Sequence, residues 1–178
     1  MTTRRRWLLG AAAVTTGLNA GVYFGWATGV MPGLAHTSDR TFVGTMNEIN
    51  DVIVNPAFMS VLLGAPVLSG IAASTEKGAM RPWLLAALGA NVATFLVTMA
   101  ANVPLNDTLA AVDVATDDLQ RARKDFETPW VVWNIVRTVT STAATALLVR
   151  ALLPSTRRPG ISPAEAQPRS PAQLRRES

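Results

Sequence analysis

The chain has 178 residues, 49% of them apolar and only 16% charged, against roughly 25% charged in an ordinary soluble domain. Its net charge of +4 would suit a nucleic-acid surface, but the basic residues sit in flanks and loops between long uncharged runs, where they orient a membrane protein instead; no nucleic-acid partner is expected. The absence of cysteine removes disulfides, thiolate metal sites and iron–sulfur clusters, and one histidine, His36, gives poor support to haem or multi-histidine metal centres.

No Asp, Glu, Lys or Arg occurs between Arg6 and Asp39, between Asp51 and Glu76, or between Arg81 and Asp107. Each run exceeds the ~20 residues that a spanning helix needs. With Thr128–Val149 they predict four spans, at about 7–31, 56–75, 83–101 and 130–153. With the N-terminus cytoplasmic, Arg4, Arg5, Arg6, Lys77, Arg81, Arg150 and the arginines from Arg157 onward fall inside. Only Arg40, Arg121, Arg123 and Lys124 fall outside, and Arg137 stays within the membrane. Most acidic residues lie on the outer side, and the bias follows the positive-inside rule. The expected protein is therefore a multi-pass protein of the cell membrane, with both termini cytoplasmic and the lipid bilayer as its first partner. Its fold class is all-α: a four-transmembrane-helix bundle over 1–153, with two amphipathic outer helices and a disordered basic tail over 154–178.

In chain order, TRRRWLLG at the N-terminus resembles a twin-arginine export signal, but the apolar run continues to Met31. That is longer than the 7–15 residues of a signal's apolar region, so a retained first span is predicted. Within it Gly17, Gly21, Gly25 and Gly29 form one stripe that invites close helix–helix association. Asn19, Tyr23 and Trp26 lie on another face, where the polar pair suits either a buried site or an interhelical hydrogen bond. Met31-Pro32-Gly33 is expected to end the span. Ser38–Asn55 carries Phe42, Met46, Ile49 and Ile53 at helical spacing, with Asn47, Glu48, Asn50 and Asp51 opposite; it reads as an amphipathic helix over the bundle. Asn55-Pro56 opens the second span, which contains Pro66, and Asn91 sits near the centre of the third. Pro104, in NVPLN, is expected to stop that helix, and Asp107 to cap a second outer helix bearing Leu109, Val112, Leu119 and Phe126. Thr128-Pro129 is expected to start the fourth span.

The fourth span opens with WVVWNIVR, in which Trp130, Trp133, Asn134 and Arg137 are spaced i, i+3, i+4, i+7. An arginine inside a span costs ~2.5–3.5 kcal/mol on insertion scales and marks a functional site by default. At ~1.5 Å per residue, Arg137 lies roughly 10–12 Å below the outer surface. Asn47, Asn50, Asn55, Asn102, Asn106, Trp130, Asn134 and Arg137 are expected to converge there, forming a polar pocket with aromatic walls. The competing reading makes Arg137 a structural tie between the helices, salt-bridged to Glu48, Asp51 or Asp107 or bonded to helix-end carbonyls, and Trp130 an interfacial anchor.

VMPGL (Val30–Leu34), MNEINDVIVNPAF (Met46–Phe58), NVPLN (Asn102–Asn106) and WNIVR (Trp133–Arg137) together resemble the anthrone oxygenase-like membrane family. The resemblance runs from Leu18 to Leu153. It implies a monooxygenase that converts an anthrone-like substrate to a quinone without metal or flavin. By that implication Arg137, with Asn134 or Asn102, stabilises an oxyanion, and Trp130 and Trp133 stack on the substrate beside Asn106, Asn50 and Asn47. His36, Glu48 and Asp107 are the candidate bases. No cofactor and no metal is expected. The alternative is a non-catalytic membrane protein that binds a lipophilic small molecule or, through the glycine stripe, a partner helix.

Overall fold

The computed structural model describes residues 2–153; the tail expected over 154–178 lies outside them. Five helices make up the described chain: α1 Thr3–Leu34, α2 Asp39–Ile53, α3 Pro56–Thr75, α4 Arg81–Ala110 and α5 Leu119–Leu152. All except α2 are long and apolar enough to cross a membrane, and the protein is a membrane protein with four candidate spans. Alternating direction puts Thr3, Thr75, Arg81 and Leu152 at one end of the bundle and α2 at the other. Helix α5 packs along both α1 and α4, and α3 closes the ring against the same two.

Three layers fill the bundle. At the end holding Thr3 and Leu152, alanines such as Ala12, Ala73, Ala87 and Ala151 let the helices close on Leu9, Leu84 and Leu148. Small residues serve this purpose in lipid, where association depends on close packing. Gly64 makes the tightest of these approaches, since a Cβ there would meet Thr15 Cγ2 at 3.2 Å. Near the middle, the Asn91 amide donates to the hydroxyls of Thr16 (3.2 Å) and Ser69 (2.9 Å), tying α4 to α1 and α3. Under α2 the core is aromatic, built from Trp26, Phe42, Phe126 and Trp130 with Met31 and Met46.

Two wide turns shape that end. Trp26–Val30 in α1 and Thr98–Asn102 in α4 are π-helical, and a proline follows each by two residues, Pro32 and Pro104. A proline ring collides with the carbonyl four residues back, here Thr28 or Ala100. Both carbonyls lie inside the wide turns, where the ladder is already opened to i→i+5. Consequently Pro104 does not stop its helix, which continues to Ala110. Asp107 caps nothing; it lies exposed within α4. The second amphipathic stretch is helical but divided between two spans, as overhangs of α4 and α5 joined by a turn at 111–118. Helix α5 starts at Leu119 with Asp118 as its cap and passes through Pro129 without a break. That proline removes one hydrogen bond to the carbonyl of Asp125, an exposed residue that water can serve.

Of the glycine stripe, only Gly17 meets a neighbouring helix, 3.7 Å from Thr145 Cγ2. Gly21, Gly25 and Gly29 are exposed on the outside of the bundle, with nothing near a Cβ added there. The stripe therefore does not assemble the four spans, because α1 turns Asn19, Tyr23 and Trp26 inward instead.

Helix α2 is capped by Ser38, which accepts from the Thr41 amide, and it buries Phe42, Val43 and Met46. Its start is held by one side chain of α5. Arg123 donates to Glu127 (2.8 Å), Asp39 (3.0 Å) and the carbonyls of Thr37 (2.9 Å) and Ala35 (3.0 Å), and stacks on Phe42 at 4.5 Å. Removing it in Arg123→Ala forfeits hydrogen bonds worth together about 1–3 kcal/mol after solvent screening. The expected outcome is amide exchange in α2 about tenfold faster than wild type in micelles, with α1 and α3–α5 unchanged. Equal rates in α2 would show that its apolar face alone holds it.

Candidate functional site

Helix α5 turns Trp130, Asn134 and Arg137 into the bundle, at 3%, 0% and 6% exposure. Arg137 Nη2 donates to Asn134 Oδ1 at 3.0 Å, and Asn134 Nδ2 donates onward to the Tyr23 carbonyl of α1, also at 3.0 Å. The guanidinium lies over two rings, 4.5 Å from the Tyr23 centroid and 5.2 Å from that of Trp130. A desolvated cation over an aromatic face gains about 2 kcal/mol. Among the described residues no carboxylate forms an ion pair with Arg137. Glu48 and Asp51 are exposed on α2, and Asp107 is exposed on the α4 overhang. The salt-bridge reading of Arg137 is thereby corrected: the acidic residues that were to neutralise it face away from the bundle.

Trp130 is gripped from α4 at both its polar ends. Its indole Nε1 donates to Asn106 Oδ1 at 2.8 Å, and its carbonyl accepts from Asn102 Nδ2 at 3.3 Å. Its ring tilts against Trp26 at 5.1 Å and lies 6.2 Å from Phe126. This is the environment of a packed wall rather than an interfacial anchor. Both wide turns contribute, since Trp26 opens the first and Asn102 closes the second. Such turns recur at functional sites because they re-aim side chains.

The structure thus brings Arg137, Asn134, Asn102, Asn106 and Trp130 together. It does not add Trp133, which is 40% exposed on the outside of the bundle. At ~100° per residue, Trp133 lies about 60° round the helix from Trp130 on the side away from Asn134, and so about 100° from Asn134, at the margin of the inward face. Asn47 donates to the Leu109 carbonyl at 3.4 Å, joining α2 to the α4 overhang, and the buried amide nitrogen of Asn50 has no partner among the described residues. Neither contacts Arg137. Asn55 is exposed and caps α3 through the Phe58 amide. His36 is exposed, its ring nitrogen 2.8 Å from the Pro32 carbonyl.

One member of the cluster was paired in the sequence only with Asn19, as part of a buried site or an interhelical hydrogen bond. Tyr23 is 2% exposed and forms the floor under Arg137. Its i+4 spacing from Asn19 signalled an inward polar face; what that signal lacked was the partner helix.

Three buried polar atoms in this group have no hydrogen-bond partner among the described residues: Arg137 Nε, Tyr23 Oη and Asn102 Oδ1. Such orphans cost ~1–3 kcal/mol each, and native proteins rarely carry them without a reason. They comprise a cationic donor, a hydroxyl that donates or accepts, and an acceptor, between indole walls. A flat molecule with a polarised oxygen would satisfy them. A gap of about 100 Å³ between the overhangs, lined by Leu105, Leu109, Val112 and Phe126, adjoins the aromatic core. A larger open cleft of about 800 Å³ involves Asp39, Arg121, Arg123 and Asp125 at the surface and does not reach Arg137. Among the described residues no group of three His, Asp or Glu side chains is placed to hold a metal ion.

A family model described as anthrone oxygenase matches residues 47–147, more than half of the chain. The matched stretch contains every α4 and α5 residue of the cluster and excludes Tyr23 and Trp26. No curated protein and no solved structure matches the chain.

The geometry separates stability from function at Arg137. Arg137→Met removes a desolvated cation (~2.5–3.5 kcal/mol) but forfeits its contact with the aromatic faces (about 2 kcal/mol) and leaves Asn134 Oδ1 without its donor (~1–3 kcal/mol), effects of opposite sign that largely cancel. The thermal midpoint in detergent is therefore expected to stay within about 2 kcal/mol of wild type in stability. A collapse of several kcal/mol would mark Arg137 as a structural strut.

Proposed function

This chain belongs to the anthrone oxygenase family, and we propose that its Arg137 cluster binds a flat aromatic ketone and promotes its oxidation by dioxygen. The observation that carries this reading is a buried guanidinium that, among the described residues, has no carboxylate beside it and an unused Nε. An anthrone has an acidic methylene opposite its carbonyl. Removing one proton places negative charge on the carbonyl oxygen, and the resulting enolate reacts with dioxygen directly. Arg137 Nε would donate to that oxyanion as charge develops, in surroundings where water does not compete. Asn134 holds the guanidinium in place through Nη2, and Asn102 Oδ1 is free to accept from a ring hydroxyl of the substrate. Trp130, fixed by Asn106, and Trp26 supply the aromatic wall. Asn47 and Asn50 belong to the roof and would act on entry rather than on the reacting atoms.

The positive-inside rule orients the chain in the cell membrane with both ends cytoplasmic. The cluster then lies towards the outer leaflet, and a lipophilic substrate would reach it from the bilayer. The outward row of Gly21, Gly25 and Gly29 supports a rival reading, a non-catalytic protein that joins a partner helix along that face.

Oxygen uptake by membranes containing the protein, supplied with emodin anthrone, separates the two readings. The expected result is uptake well above that of empty membranes, falling by ~10²–10³ in Arg137→Ala, the loss typical of removing an oxyanion donor. Uptake at the empty-membrane rate by wild type, or an equal rate in the variant, would sink the oxidative role of this cluster for that substrate.

A further inference from the structure

We propose that Tyr23 is the proton-transfer residue of this site, a role that rests on the oxidative reading above. The residues first considered as bases do not reach the cluster: His36, Glu48 and Asp107 are all exposed at the α2 end. Within the cluster the titratable side chains are Arg137 and Tyr23. Arginine keeps its proton at any accessible pH, which leaves the phenol. Its ring lies against the guanidinium at 4.5 Å, and its Oη is buried beside the Thr98 hydroxyl, which donates instead to the Thr94 carbonyl at 2.8 Å, so no hydrogen bond of ordinary geometry reaches Oη among the described residues. A structural tyrosine that deep normally finds a partner for its hydroxyl. This one is held by other means, through its ring and through the carbonyl that accepts from Asn134. The hydroxyl is left for something else.

The chemistry needs one proton given and one taken, and a single phenol can do both. The enolate carbon, having lost its first proton to water, bonds to one oxygen of dioxygen, and the pair of electrons that forms the bond reduces dioxygen to a peroxide anion. Tyr23 gives its proton to the outer oxygen, leaving a hydroperoxide and a tyrosinate beside Arg137. The tyrosinate then removes the remaining hydrogen of the same carbon as a proton. The electrons of that carbon–hydrogen bond form the carbonyl, the oxygen–oxygen bond breaks, and hydroxide leaves. Hydroxide and the first proton make water, so the ketone methylene and dioxygen become a quinone carbonyl and one water, and Tyr23 regains its phenol. A strong base is not required, because the substrate's own acidity, helped by Arg137, supplies the first ionisation. The missing carboxylate and the underused tyrosine are then two sides of one arrangement.

Tyr23→Phe keeps the ring under Arg137 and removes only the hydroxyl. Wild type and variant are compared in membranes with emodin anthrone, recording oxygen consumed, quinone formed and hydrogen peroxide released, across pH 6 to 10. Binding is read separately from quenching of tryptophan fluorescence by the quinone product, emodin. The expected result is quenching within about threefold of wild type and quinone formation slower by ~10²–10⁴, the usual contribution of a positioned proton donor or acceptor. Part of the oxygen consumed is expected to appear as hydrogen peroxide, since an unprotonated peroxide adduct either returns to enolate and dioxygen or loses superoxide, which disproportionates to hydrogen peroxide and dioxygen while the anthrone radicals left behind dimerise. Wild type is expected to couple oxygen to quinone one to one across this range. Undiminished, coupled quinone formation by Tyr23→Phe would overturn the role of Tyr23 while leaving the oxidation intact. Wild-type membranes that bind emodin but consume no oxygen would overturn both.

Discussion

A guanidinium buried without a carboxylate is the constraint on which the rest of this bundle turns. In a low-dielectric interior a lone cation is costly, and the protein offsets that cost with diffuse partners. Two aromatic faces, Tyr23 and Trp130, and one amide oxygen, Asn134, surround Arg137. Each partner is itself held by a different helix: Trp130 by Asn102 and Asn106 of α4, Asn134 by the backbone of α1. Removing the charge would leave Asn134 Oδ1 without its donor and the two rings without their cation. The wide turns of α1 and α4 serve the same end, since they place Trp26 and Asn102 beside Trp130 and let both helices continue past a proline.

Two arginines of α5 make the contrast plain. Arg123 at the α2 end satisfies Nε, Nη1 and Nη2 with carboxylates and carbonyls, and stacks on Phe42. Its chemistry is used up in holding the roof. Arg137, two to three turns deeper than the start of the span, uses one of its nitrogens and leaves Nε free. A saturated cation is a fastener; an unsaturated one packed between aromatic rings has capacity left for a ligand. The same difference separates Asn91, whose amide joins two hydroxyls in the middle of the bundle, from Asn102, whose Oδ1 is orphaned. Polarity alone does not mark a site; unmet hydrogen-bonding capacity does.

Reading single elements goes astray wherever two local rules compete. Pro104 and Pro129 carry the sequence mark of helix boundaries, yet both lie inside helices. In one case a wide turn had already moved the carbonyl ladder, and in the other the lost hydrogen bond falls at an exposed residue. Trp133 shares the i+3 and i+4 spacing with its neighbours but falls just outside the inward arc, because the buried face of α5 is narrow. The glycine row of α1 looked like the packing face of the first span and proved to be its outer side. Tyr23 was not joined to Arg137 for the opposite reason: it lies more than a hundred residues away, and no local pattern connects them.

The sequence by itself determined the four candidate spans, the placing of Arg137 within one of them and the kinship of the WNIVR and NVPLN motifs. Hydropathy, charge asymmetry and helical period act over one turn or one span, and these features need no more. Only the tertiary structure decided what Arg137 touches, because that depends on how α1 and α4 are rotated against α5. Rotation is set by packing of alanines and aromatics contributed by all four spans at once, which no single stretch contains. It turned Glu48, Asp51 and Asp107 away, brought in Tyr23, and left Trp133 outside.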